Sequence, residues 1–99
     1  HPDANAIKQG LKNSKRTIKE YAEGTRFSSG DYRVNKDIKP GTYVAESDEA
    51  FEGCYWSRLN KNGDIIQNNF INRGFRAQVT IRASDYSFSA ERCGEWVKQ

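Results

Sequence analysis

Two hydrophobic periods divide the chain. Over residues 4 to 23, ANAIKQGLKNSKRTIKEYAE, apolar positions recur at helical spacing. Ile7, Leu11, Ile18, Tyr21 and Ala22 fall near one face, with Ser14 interrupting the stripe. Asp3 is placed to cap this helix and Gly24 to stop it, while Gly10 weakens it by about 1 kcal/mol relative to Ala. The stripe predicts a helix packed on the rest of the domain, with Lys8, Lys12, Lys15, Arg16 and Lys19 solvated on the opposite face. A basic amphipathic face of this kind can also dock on an anionic membrane or polymer.

After the linker GTRFSSG (24 to 30) the period changes to two. DYRVN (31 to 35) turns Tyr32 and Val34 inward, and the strand after Pro40-Gly41 carries Tyr43 and Ala45 on one face. CYWSRLN (54 to 60) sets Cys54, Trp56 and Arg58 opposite Tyr55, Ser57 and Leu59. NKNGD (60 to 64) predicts a hairpin turn, and DIIQNNFI (64 to 71) a strand ending at Arg73-Gly74. FRAQVTIRA (75 to 83) places Ala77, Val79, Ile81 and Ala83 inward, and YSFSAE and EWVKQ complete the set. About seven short strands, separated by turn signals, predict a mainly β fold. The expectation is an N-terminal helix followed by an antiparallel β-sandwich or barrel. Residues 1–29 form the helix and linker, and residues 30–99 the all-β domain.

Composition sharpens this picture. A chain of 99 residues with 35% hydrophobic positions and a mean hydropathy of -0.93 buries a limited core, yet twelve of its residues are aromatic, enough to fill one. Two cysteines, Cys54 and Cys93, and a single histidine at position 1 leave no Cys/His metal set, so a disulfide is expected. Such a bridge points to an oxidising compartment, and no apolar run is long enough to span a membrane. The charge is uneven: residues 1–29 hold six Lys/Arg against three Asp/Glu, whereas residues 30–99 hold ten of each. The β domain therefore has no broad basic surface for nucleic acid.

The stretch NRGFRAQVTI (72 to 81) begins like the RNA-contacting strand of an RNA-recognition motif. That signature then requires a small residue and an aromatic, where this chain has Arg76 and Ala77, and an aromatic again at Thr80. Without those rings there is no base-stacking platform. The stretch reads as a turn followed by a strand whose outward row is Arg76, Gln78, Thr80 and Arg82. ESDEAFE (46 to 52) lacks the ligand spacing and glycine of a calcium loop and reads as a solvated loop. With histidine only at the terminus, Ser-His and Cys-His nucleophilic arrangements have no base, so no enzyme, cofactor or metal is expected. Trp56 and Trp96 lie two and three residues after the cysteines, an aromatic plug about one bridge. An exposed glycan platform is the alternative reading of these indoles.

YRVNKDIKPGTYVAES, GCYWSRL, DIIQNN, QVTIRASDYSFS and CGEW, in this order, resemble a family of small secreted or lipid-anchored proteins of Gram-positive bacteria and their phages, over about residues 31 to 97. Asn35 stands where that pattern has glycine. The resemblance implies an extracellular compartment and the disulfide, but no activity. Function is then expected to be that of a non-enzymatic secreted or cell-envelope binding module, with Tyr55, Arg58, Arg76 and Arg82 as candidate contacts for a protein or an anionic envelope polymer. The alternative is an extracellular effector: an enzyme inhibitor, or a phage-type exclusion or antimicrobial factor.

Overall fold

The computed structural model describes residues 18–99; Asp3, Ile7, Gly10, Leu11, Ser14 and the basic positions before Ile18 lie outside the described residues. A helix, α1, covers described residues 18–23. It is followed by β1 (Arg26–Phe27), β2 (Gly30–Arg33), β3 (Gly41–Leu59), β4 (Ile65–Ile81), β5 (Ser87–Glu91) and β6 (Trp96–Lys98). All strand pairings are antiparallel, in the order β1-β6-β3-β5-β2, with β4 paired to β3. The sheet curls into a half-barrel and carries one disulfide.

The mainly β expectation holds, but the strands are not uniformly short. β3 runs for 19 residues and β4 for 17, through both places where breaks were expected. ESDEAFE is not a free loop. The register moves from Glu46↔Arg76 to Phe51↔Gly74, so residues 47–50 face Phe75 alone. Extra residues on one strand of a pair bend it and raise its local twist. The ribbon thereby curls without ending, and Asp48 and Glu49 stay in solvent. Gly74 likewise makes no turn. It sits opposite Phe51 inside β4, where a Cβ would meet Ile71 Cγ2 at 2.9 Å. The turn predicted at NKNGD is present: Gly63 N–H donates to Asn60 O at 3.0 Å, and Asn60 Oδ1 accepts from the amides of Asn62 and Asp64.

Because β3 is long, its one edge carries two partners. Residues 43–45 pair with β6 and residues 55–59 with β5, while β4 follows the other edge throughout. Tyr43, Ala45, Cys54 and Trp56 all turn inward and meet Ala77, Val79, Ile81, Phe88, Ala90 and Trp96 in one buried cluster. Phe27 is its hub, with ring centroids 4.9 Å from Tyr32, 5.0 Å from Tyr43 and 5.7 Å from Phe88. Trp56 and Trp96 flank Phe88 at 6.1 and 5.6 Å. Both indoles are almost wholly buried, which makes them core packing and removes them as a glycan platform. Their Nε1–H groups have no hydrogen-bond partner among the described residues; these two tryptophans act through area and ring contacts.

Cys54 and Cys93 form the expected bridge, with a Cα separation of 4.7 Å and a sequence separation of 39. It ties β3 to the β5–β6 connection. Closing a loop of this length stabilises the fold by about 4 kcal/mol in the chain-entropy account.

The described part of the helix docks differently from the expectation. Ile18, Tyr21 and Ala22 are exposed, Ile18 at 67%. The attachment is polar: Tyr21 Oη–H donates to Glu95 Oε1 at 2.6 Å, and Arg26 lies 3.6 Å from Glu20 and 3.2 Å from Glu95. The hydrogen bond to Glu95, with some burial, pushes the Tyr21 phenol up to about 12. Gly24 stops the helix as expected. Its φ of 73° is left-handed, its carbonyl accepts from buried Tyr43 Oη, and a Cβ there would come 2.7 Å from Asp37 O. Asn35, in the position where the related pattern has glycine, also takes a left-handed φ of 70° and donates from Nδ2 to Ala83 O. Asn is among the few residues that adopt this conformation readily.

Candidate functional site

Alternation along β3 places Arg58 on the same face as Cys54 and Trp56, which is the inside. The residue is 6% exposed. A buried guanidinium needs a carboxylate, and Asp85 supplies it with two parallel bonds, Nε to Oδ2 at 2.6 Å and Nη2 to Oδ1 at 2.8 Å. The remaining nitrogen, Nη1, donates to Gln67 Oε1 of β4 at 2.7 Å. Asp85 is held by the tight turn after β4: its N–H donates to Arg82 O, and its Oδ2 accepts from Arg82 N–H at 2.9 Å. Burial works against the Asp85 carboxylate, yet the bonds from Arg58 and the Arg82 amide outweigh it and hold the group below its ordinary range.

Arg58 and Gln67 of this cluster line a polar hollow of about 320 Å³, bounded also by Gln78, Val79, Thr80 and Arg82. Curling of the β3–β4 ribbon brings Gln67 and Thr80 to the same depression although they stand near opposite ends of β4. Arg82 is exposed, and among the described residues its guanidinium has no carboxylate within ion-pair distance. Thr80 Oγ1 shares a 3.1 Å hydrogen bond with Thr42 across the strands.

Of the four candidate contacts, the fold brings Arg58 and Arg82 together and leaves the others apart. Arg58 is committed to Asp85 and Gln67, so it shapes the hollow from below. Arg76 lies exposed on another part of the ribbon, 3.4 Å from Glu46 and beside Ser47, Asp48 and Phe75. Tyr55 is half-buried, opposite Phe70, and its Oη accepts from Asn68 Nδ2 at 3.1 Å. Asp85 and Gln67 were missed by sequence reasoning. The signal for Asp85 was an arginine on the inward face of CYWSRL, which demands an acid from elsewhere in the chain.

Among the described residues no group of three or more His, Cys, Asp or Glu side chains is arranged to hold a metal, and no helix is long and apolar enough to cross a membrane. No curated protein and no solved structure gives a significant match to the chain. Residues 23–97 do match a family described as the Rv1352-like extracellular domain. The match takes in α1's last residue, β1 to β5, β6 as far as Val97 and both cysteines, and with three quarters of its length so covered the chain belongs to the Rv1352-like extracellular domain family.

Proposed function

We propose that this extracellular domain is a non-enzymatic binding module that grips an anionic or polyol group of an envelope polymer in the hollow beneath Arg82. The observation that carries the reading is the pairing of an exposed arginine, without an ion-pair partner among the described residues, with a polar wall of Gln67, Gln78 and Thr80. Arg58 acts by position. Its charge is balanced by Asp85, and it orients Gln67 by the 2.7 Å bond, leaving the amide nitrogen of Gln67 for a ligand. Arg82 supplies the charge that attracts, and its planar fork suits a carboxylate or phosphate. Arg76 and Tyr55 serve as contacts outside the hollow for a long polymer.

A pull-down from envelope extract tests the reading. The bound fraction should be lost on Arg82→Ala or Gln78→Ala and kept on Arg92→Ala, which removes an exposed arginine elsewhere. Retention by Arg82→Ala, or equal loss by all three, contradicts it.

A further inference from the structure

β1 and β2 stand at opposite ends of the strand order, and no ladder joins them. They meet through side chains instead, with the rings of Phe27 and Tyr32 4.9 Å apart. The mouths of β-barrels are common ligand sites, and a hollow of about 460 Å³ opens at this seam. Phe27 and Ile38, each 2% exposed, form its base. Tyr21 and Tyr32 wall it, and Asp31, Lys36 and Asp37 stand exposed around it. Both tyrosine hydroxyls are already engaged, Tyr21 donating to Glu95 at 2.6 Å and Tyr32 to Ser28 O at 2.9 Å. What the two rings offer a ligand is therefore apolar carbon held in place. The carboxylates are held as well: Asp31 Oδ1 accepts from Ser89 Oγ, and Asp37 Oδ2 from the Arg33 amide at 2.9 Å. Neither acid, nor Lys36, has an ion-pair partner among the described residues.

We propose that this seam binds a neutral sugar unit, at a site separate from the hollow at Arg82, with which it shares no residue. Charge and hydrogen-bond type choose the ligand. Arg26, the other cation of the lining, is spent on Glu20 and Glu95. Two acids then face one free ammonium, which disfavours an anion. A simple cation would meet Lys36 as a like charge and gain nothing from it. A wholly apolar ligand would take water from three charged groups and return no hydrogen bond. A sugar hydroxyl both donates and accepts, so neighbouring hydroxyls satisfy Asp31, Asp37 and Lys36 together. The C–H face of the same ring covers the carbon of Tyr21 and Tyr32 and the apolar base.

An NMR titration of the full chain tests this, with neutral trisaccharides built from glucose, galactose, mannose or N-acetylglucosamine as probes and tetramethylammonium as the cationic control. At least one sugar should give saturable shifts at the amides of Asp31, Tyr32 and Asp37. Asp31→Ala and Tyr21→Ala should each weaken that binding by about tenfold, while Tyr21→Phe, which keeps the ring, should retain most of it. The spectrum of Asp31→Ala away from the seam should be unchanged, which separates lost contact from lost fold. Arg82→Ala should leave the shifts intact, so this site and the Arg82 hollow stand or fall separately. The proposal is overturned if no sugar gives saturable shifts, if the shifts lie away from the seam, or if both alanine variants bind as the unmodified chain does. Tetramethylammonium shifting the same amides while every sugar stays silent would also overturn it and mark the seam as a cation site.

Discussion

The two halves of β4 belong to one continuous strand, yet they live in different surroundings. From Ala77 to Ile81 the pattern is strict: Ala77, Val79 and Ile81 are buried, Gln78 and Thr80 exposed. From Ile65 to Phe70 every residue is exposed on both faces, although the opposing β3 residues Trp56, Ser57 and Arg58 are buried. The C-terminal half lies over the aromatic core. The N-terminal half overhangs it, held by the β3 ladder and by the bond from Arg58 to Gln67. Strand formation and burial are thus separate consequences of sequence here: cross-strand hydrogen bonding continues where side-chain packing stops.

The largest expected effect comes from the ion pair beneath the overhang. Arg58→Met leaves Asp85 buried without its partner and should cost about 3–5 kcal/mol in chemical denaturation; adding Asp85→Leu should recover much of that loss. One substitution made in both halves then measures the contrast directly. Ile81→Ala, at 1% exposure, should cost about 2–5 kcal/mol, whereas Ile66→Ala should stay within about 0.5 kcal/mol. Equal costs would mean that the overhang is packed.

A smaller effect is expected at the turn that bonds to the segment after β4. Asn35→Gly should be nearly neutral, and Asn35→Val should cost about 1–2 kcal/mol because a β-branched residue is strained at that φ. The smallest effect is in the acid limb. Asp85 has a folded pKa below its unfolded one, with Arg58 and Arg82 opposing its burial, and Glu95 is lowered by the Tyr21 hydroxyl and Arg26. Each contributes stability that is complete above the ordinary carboxylate value and is lost as pH falls through the lowered folded value. Denaturation midpoints should therefore decline below about pH 4, and less steeply in Asp85→Asn.

How far the sequence disclosed this follows from the same contrast. Where packing and pleat agree, alternation alone placed Val34, Ala77, Val79 and Ile81 inward and grouped Tyr43 with Ala45 and Cys54 with Trp56 on one face, whereas Ala83, expected inward, lies past the end of β4 and is exposed. The disulfide was legible because Cys54 and Cys93 had no other partner chemistry. The bounds of β3 and β4 were not. Acidic residues at 46–52 and Arg73-Gly74 carry loop and turn composition, but a bulge absorbs the first and the ladder runs through the second. Loop composition reports solvent exposure, and an overhanging or bulged strand is exposed too. The hollow was half legible: Arg58 and Arg82 were singled out, but a pairing across 27 residues of sequence to Asp85 depends on how the ribbon curls.

Residue-resolved amide exchange along β4 tests the central claim that this strand is held from one side. Leu59 O accepts from Tyr86 N–H on the β5 side, so by alternation Arg58, Trp56 and Cys54 bond to their β4 partners Gln67, Asn69 and Ile71. The account therefore predicts slow exchange at Gln67, Asn69 and Ile71, whose amides face β3, and fast exchange at Asn68, Phe70 and Asn72, whose amides face outward. Uniform slow exchange across residues 67–72 would show that the edge is covered, and uniform fast exchange would show that the overhang does not pair with β3; either result contradicts it.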